Sequence, residues 1–162
     1  MLTALTLTAA LASCAPSATP TPTPSETGFA SEAEAFAAAE ETYRAYVDAY
    51  NGWITDERGQ DPLALLAGQA LVDETKNREE LEEAGLHIRG SFQVSDFAGQ
   101  SWTSDQVQAL VCLDLSGVRV ETDAGEDTTP KDRSDANLLE VRFRAGADDI
   151  RIISSLLRSE EC

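Results

Sequence analysis

Hydrophobic positions recur every three to four residues from residue 31 to residue 54, which is the period of an α-helix. Ser31 and Glu34 have the spacing of a capping box and predict where this helix begins. The apolar stripe along one side of the helix consists of Phe36, Tyr43, Tyr46, Val47, Tyr50 and Ile54. Such a stripe predicts either a helix packed against a core or a helix whose tyrosine hydroxyls are the polar tips in a ligand cavity.

Two further helical stretches follow. In QDPLALLAG, Asp61 and Pro62 are typical of an N-cap and a first helical turn, and Gly68 is predicted to end this helix. The segment QALVDETKNREELEEAG is predicted to be a third helix. It should stop at Gly85, because glycine is favoured just after a helix C-terminus. We interpret most of the acidic residues in this segment as a solvated face.

After Gly85 the hydrophobic period changes from about 3.6 residues to about 2, which is typical of β-strands. LHIRGSFQVSDF is predicted to be one strand with a bulge at Gly90. NLLEVRFRA and DIRIISSLL are predicted to form a hairpin that turns at residues 147–149. The clearest strand is QVQALVCLDLSGVRVET, which has on one face Val107, Ala109, Val111, Leu113 and Leu115. Helices followed by antiparallel strands predict an α+β fold.

An apolar run, LTALTLTAALA, covers residues 2–12. It is far shorter than the roughly 20 residues of a membrane-spanning helix, and it fits the apolar region of an export signal. A typical signal has Lys or Arg before this region, whereas the first basic residue here is Arg44. This pattern fits either a start upstream of Met1 or an atypical signal.

LASC, residues 11–14, resembles the lipobox of bacterial lipoproteins, in which the cysteine is diacylated and becomes the first mature residue. The resemblance implies that Cys14 carries lipid such as palmitate and anchors the protein to the cell membrane, facing outside the cytoplasm. The Thr/Pro-rich segment PSATPTPTPSETG favours an extended polyproline II linker. The predicted organisation is a signal peptide at 1–13, a linker at 14–28 and a folded domain at 29–162.

The chain has 29 acidic and 12 basic residues, for a net charge of −17. This excess argues against nucleic-acid binding, because phosphates require Lys and Arg. It also argues against electrostatic docking on anionic lipid. The acidity either keeps a secreted domain soluble or provides a surface for a cation or a basic partner.

The order of helices and strands is similar to the nuclear transport factor 2-like cone, in which a curved antiparallel sheet wraps a long first helix. YRAYVDAYNGW, DPLALLAG…EEAGLHIRGS and VCLDLSGVRVETDAG resemble secreted actinobacterial lipoproteins of this class, over about residues 33–162. The resemblance implies a homodimer through the open face of the sheet. It also implies an enzymatic alternative, since cone proteins of isomerase, cyclase or dehydratase type use an Asp, a His or a Tyr in an apolar pocket.

The sequence assigns no catalytic residue. The single histidine, His87, begins a predicted strand and is interpreted as exposed. Asp48 is the carboxylate beside the tyrosine stripe, so the candidate pocket residues are Tyr43, Tyr46, Asp48 and Tyr50. DAGED lacks the ligand order of a calcium loop, and one histidine with three cysteines does not fit the usual zinc spacings. The sequence therefore predicts neither a metal nor a cofactor.

Two of the three cysteines lie in the folded domain. With Cys14 assigned to lipid, Cys112 and Cys162 are an even pair in an oxidising compartment and are predicted to form a structural disulfide. Together, these features predict a membrane-tethered lipoprotein that binds a small apolar ligand or a cell-envelope protein. A cone-pocket enzyme and a structural envelope spacer are the alternatives.

Overall fold

The computed structural model describes residues 28–57, 59–146 and 149–162. In chain order, the elements in these residues are α1 (Glu32–Ile54), a 3-10 helix (Pro62–Leu65), α2 (Gly68–Glu83), β1 (Leu86–Arg89), β2 (Gln93–Trp102), β3 (Gln106–Asp114), β4 (Arg119–Thr122), β5 (Ala136–Ala145) and β6 (Ile150–Ser159). The helices pack against antiparallel sheets, which confirms the predicted α+β class. The predicted signal peptide, the predicted lipid attachment at Cys14 and the predicted linker up to residue 27 lie outside the described residues. None of the described helices is long and apolar enough to cross a membrane.

Helix α1 begins where the capping residues predict. Ser31 is the N-cap, and its hydroxyl accepts a hydrogen bond from the Glu34 N–H at 3.2 Å. The Glu34 carboxylate accepts in turn from the Ala30 N–H at 3.0 Å. One orphan N–H group of the first helical turn is thereby satisfied, and the Glu34 carboxylate also binds the residue just before the N-cap. The buried face of the helix contains Ala35, Ala39, Thr42, Tyr43, Val47, Tyr50 and Ile54.

The second helical region differs from its predicted boundaries. Asp61 caps only a single 3-10 turn, with its carboxylate accepting from the Leu63 N–H at 2.9 Å. Gly68 does not end a helix but begins α2, with a φ of +54°. Gly85, with a φ of +62°, follows the end of α2 as predicted, because the left-handed region there suits glycine.

The predicted strand over residues 86–97 is divided into β1 and β2, which belong to different sheets. The break occurs at Gly90, which is therefore not a bulge within one strand. Gly90 has a φ of +92°, and a Cβ there would lie 1.9 Å from the Gly117 carbonyl oxygen. Residues 115–118 likewise divide the clearest predicted strand into β3 and β4, by a turn in which the Val118 N–H donates to the Leu115 carbonyl.

Four strands form the main sheet in the order β2-β3-β5-β6, and β1 pairs with β4 in a second, two-stranded sheet. All these pairs are antiparallel. The predicted hairpin is present as β5 and β6, which meet at the pair Ala145–Ile150. Residues 147 and 148 of its turn lie outside the described residues.

The core lies between α1 and one face of the main sheet, the inner face. Its buried sheet residues are Val107, Ala109, Val111, Val141, Phe143 and Ile152. Ala35 and Ala39 on α1 are fully buried, and their small side chains allow the helix to lie close to the sheet. At Gly99 of β2 a Cβ would lie 2.5 Å from the Phe36 ring, so glycine is required for this approach.

The opposite, outer face of the main sheet carries Cys112. A disulfide joins Cys112 to Cys162, with the two Cα atoms 5.8 Å apart, as the sequence predicts. The bond links the middle of β3 to the chain terminus beyond β6. Because β6 is an edge strand, the disulfide fixes the end of the chain that would otherwise fray most easily.

Candidate functional site: a tyrosine-lined cavity

A cavity of about 410 Å³ lies between α1, α2 and the inner face of the main sheet. Its size falls within the roughly 300–1,000 Å³ of small-molecule sites. It is lined by Tyr43, Tyr46, Val47, Tyr50, Leu66, Ala70, Asp73, Glu74, Asn77, Ile88, Phe92, Leu113, Leu139, Ile152 and Ser155. The lining is mainly aromatic and aliphatic, and its polar side chains come mostly from α2.

A row of aromatic rings forms the wall on the α1 side. Spacings of three and four residues place Tyr43, Tyr46 and Tyr50 along one side of the helix, with successive ring centroids 6.0 Å apart. Phe92, just before β2, continues the row and meets Tyr50 edge-on at 5.3 Å. The predicted tyrosine stripe therefore has both of its proposed roles, since it packs against the core and also lines a cavity.

The sheet contributes an apolar wall. Strand alternation turns Leu113, Leu139 and Ile152 toward the helices. Ser155 of β6 is a polar residue on this wall, and it partly opposes the rise in the pKa of Tyr43. A ligand in the cavity would therefore contact hydrocarbon on this side.

Helix α2 presents polar groups to the cavity. Ala70, Glu74 and Asn77 follow one another at helical spacing, so a single face of α2 carries both a buried alanine and two polar side chains. Asp73 also lines the cavity. The sequence predicts that most acidic residues of this segment face solvent, and Glu74 is an exception, because its side chain is only 13% exposed.

Glu74 forms an ion pair with Arg78 one turn later. The Arg78 Nε donates to Glu74 Oε1 at 2.8 Å, and the Arg78 side chain is 15% exposed. The guanidinium lies over the Trp53 ring at 3.9 Å from its centroid, and 5.8 Å from that of Tyr50. Burial raises the pKa of the Glu74 carboxyl, and the hydrogen bond and charge of Arg78 only partly oppose this rise.

The tyrosine hydroxyls remain protonated at neutral pH. Burial raises the pKa of Tyr43, and the hydrogen bond with Ser155 opposes it in part. Burial also raises the pKa of Tyr46 and Tyr50, where the charge of Glu74 adds to the rise. These phenols can donate or accept hydrogen bonds to a ligand, but they do not supply a phenolate base.

Three of the four candidate pocket residues line the cavity, and Asp48 does not. Asp48 is exposed on α1 and is absent from the lining. Each residue advances a helix by about 100°, so Asp48 lies almost opposite Tyr46 and Tyr50, each two residues away. His87 is also outside the cavity, where its Nε2 pairs with Asp123 Oδ1 at 2.7 Å. Among the described residues, no group of three His, Cys, Asp or Glu side chains is arranged to hold a metal ion.

Sequence reasoning missed the ion pair and Ser155. The available signal was the phase of α2, in which Glu74 and Arg78 lie on the same helical face as the apolar residues Ala70 and Leu81. Ser155 gave no comparable signal, because it lies in the run IISSLL, where alternation does not separate the two faces.

Comparisons with known proteins do not assign the chain to a family. No protein-family model matches the chain, and no curated protein matches it. Among solved structures, the chain is similar to the intermembrane-space region of the chloroplast protein ARC6. That match covers 74% of this chain and 95% of the other, with 14% sequence identity and a TM-score of 0.47.

Proposed function

We propose that this protein is a membrane-tethered extracytoplasmic lipoprotein whose folded domain binds a small, largely apolar ligand. The observation that supports ligand binding is the 410 Å³ cavity with its tyrosine row, aliphatic wall and few polar groups. This composition is typical of small-molecule sites, in which apolar surface supplies affinity and a few polar groups fix orientation.

Ligand binding is tested on the full chain carrying Cys14→Ser, with the neutral fluorescent probe N-phenyl-1-naphthylamine. Leu139→Trp should fill the cavity and abolish the fluorescence rise, because Leu139 lines it. Leu138→Trp is the matched control, since the neighbouring residue on β5 points to the opposite face. Equal probe binding by both variants would argue against the cavity as the binding site. No probe binding by the protein without a substitution in the cavity would favour the alternative of a structural envelope spacer.

Tethering is proposed from LASC, which ends the apolar run at residues 11–14. Expression in an actinobacterial host, with an upstream start restored where the gene has one, should place the protein in the membrane fraction. Cys14→Ala should prevent lipid attachment. Mass spectrometry that finds an unmodified Cys14 in the mature protein would contradict the anchor.

An enzyme of isomerase, cyclase or dehydratase type is a second candidate, and Glu74 is the observation that favours it. This carboxylate lines the cavity beside the tyrosines, and burial raises its pKa toward the range of a general base. Such an enzyme should exchange the α-protons of a bound cyclic ketone with deuterated water. Glu74→Gln should stop the exchange while ketone binding persists; exchange that survives the substitution would exclude Glu74 as the base.

A further inference from the structure

The aromatic row brings four rings to the cavity, and the face of an aromatic ring attracts positive charge. Tyr43, Tyr46, Tyr50 and Phe92 all line the cavity, and neighbouring rings lie 5.3–6.0 Å apart. Cations bind over the negative face of an aromatic ring, and the attraction increases where water is excluded. A row of this kind can serve a ligand ammonium as well as a hydrocarbon.

The protein already places one cation beside this row. The Arg78 guanidinium lies 3.9 Å from the centroid of Trp53 and 5.8 Å from that of Tyr50. Arg78 itself does not line the cavity. The guanidinium therefore lies beside the row but is not part of the lining of the cavity.

Two carboxylates line the same cavity. Asp73 and Glu74 contribute to the lining, whereas no Lys, Arg or His among the described residues does so. Within the described part of the chain, the Glu74 carboxylate receives its hydrogen bond from Arg78 at Oε1 alone. Oε2 is therefore available to a second donor, and a carboxylate can accept from several donors at once.

We propose that the cavity binds an organic cation, an ammonium compound with an apolar body. The hydrocarbon would contact Leu113, Leu139 and Ile152, and the ammonium would lie near Glu74 and the Tyr46 ring. The proposal rests on the proposed ligand-binding function and specifies the ligand class. The net charge of −17 supports it, because an acidic protein concentrates cations near its surface and disfavours anionic ligands.

The experiment compares 4-phenylbutylamine, 4-phenylbutanol and 4-phenylbutyrate, which share one apolar body and differ in the head group. Each displaces N-phenyl-1-naphthylamine from the full chain carrying Cys14→Ser. The amine should bind about tenfold more tightly than the alcohol, and the carboxylate more weakly than the alcohol. Equal displacement by all three would overturn the cation proposal and leave the ligand-binding function intact; failure of the probe itself to bind would count against that function.

Variants separate the local site from general attraction to an acidic protein. Glu74→Gln should remove most of the preference for the amine. Glu79→Gln removes one charge from an exposed position on the same helix and should leave the preference unchanged. Tyr46→Leu keeps the lining apolar and should weaken binding of the amine but not of the alcohol. This variant tests the proposal also where Glu74→Gln does not fold. Equal losses in the Glu79 and Glu74 variants, or tightest binding by the carboxylate, would overturn the proposal.

Discussion

A mostly buried glutamate lies on each side of the main sheet, and the pKa values of the two carboxyls shift in opposite directions. Glu74, across the cavity from the inner face, is 13% exposed in its side chain, and burial raises its pKa. Glu140, on the outer face, is 8% exposed, and its hydrogen bonds to Arg158 hold its pKa below the usual range. A low exposed fraction alone therefore does not decide the direction in which a carboxyl pKa shifts.

The two carboxylates also differ in how many arginines contact each of them. Glu140 accepts from Arg158 at Oε2, with the Nε at 3.0 Å, and from Arg142 at Oε1 at 3.3 Å. Glu74 accepts from Arg78 at Oε1 only, among the described residues. At Glu140 the hydrogen bond from Arg158 outweighs desolvation, whereas at Glu74 desolvation outweighs the hydrogen bond and charge of Arg78. The outer face is thus closed by paired charges and a disulfide, whereas the side facing the helices keeps an open cavity and a carboxylate with capacity for another donor.

The largest expected effect is removal of the disulfide, which tests the outer face. In a Cys14→Ser background, Cys112→Ala with Cys162→Ala should lower the free energy of unfolding by about 4 kcal/mol, from the loop-entropy cost of the 50-residue separation. Urea denaturation measures the loss. A loss under about 1 kcal/mol would mean that the β5–β6 ladder alone secures the chain end.

The next largest effect is expected at the tyrosine row. Tyr43→Ala should cost about 3 kcal/mol, because Tyr43 is 2% exposed and packs against Phe143 at a ring separation of 6.4 Å. Tyr46→Ala is the matched control and should cost about half as much, since Tyr46 is only partly buried and borders the cavity. Denaturation curves decide, and equal losses would contradict the division of the row into a core end and a cavity end.

The sequence predicts the tyrosine row well but not its polar partners. Periodicity identifies Tyr43, Tyr46 and Tyr50, because a helix repeats its faces regularly whatever it packs against. Nearness in sequence suggested Asp48, which the helical rotation turns to solvent. Glu74 was not predicted as a site residue because glutamate four residues before arginine is common on solvated helix faces. Only the packing of α2 shows that this pair is largely buried.

In the fold as well, the features that local sequence determines were predicted, and those that depend on contacts between distant residues were not. The start of α1, its apolar stripe and the β5–β6 hairpin are set by local signals, and the structure agrees with them. The separation of β1 from β2 depends on the close approach of Gly90 to Gly117, two residues far apart in sequence. A single sequence does not reveal such an approach, so the division into two sheets could not be predicted.

A third prediction compares the two ion pairs directly. Arg78→Met should cost about 2 kcal/mol, because it leaves the Glu74 carboxylate largely buried without its donor. Arg158→Met should cost less, since Arg142 still holds Glu140 through Oε1. Urea denaturation of both variants near neutral pH measures the two losses. A larger loss of unfolding free energy for Arg158→Met would contradict the interpretation that Arg142 still stabilises the Glu140 carboxylate when Arg158 is removed.

The smallest expected effect is in the pH dependence of stability, where the two glutamates should give slopes of opposite sign. The pKa of Glu74 is raised from 4.5 in the folded state. Its contribution to the stability of the fold is therefore fully present below that value and is lost as pH rises through the folded pKa. The pKa of Glu140 is lowered from 4.5, so its contribution is present above that value and is lost as pH falls through the folded pKa.

Unfolding free energies of the unsubstituted protein, Glu74→Gln and Glu140→Gln, measured from about pH 3 to about pH 7, separate these contributions. Relative to Glu74→Gln, the unsubstituted protein should lose stability as the pH rises above 4.5, and relative to Glu140→Gln it should lose stability as the pH falls below 4.5. Slopes of the same sign would mean that Arg78 compensates Glu74 as fully as the two arginines compensate Glu140. The Glu74 carboxylate would then already be fully compensated by positive charge, and the difference between the two sides of the sheet would not hold.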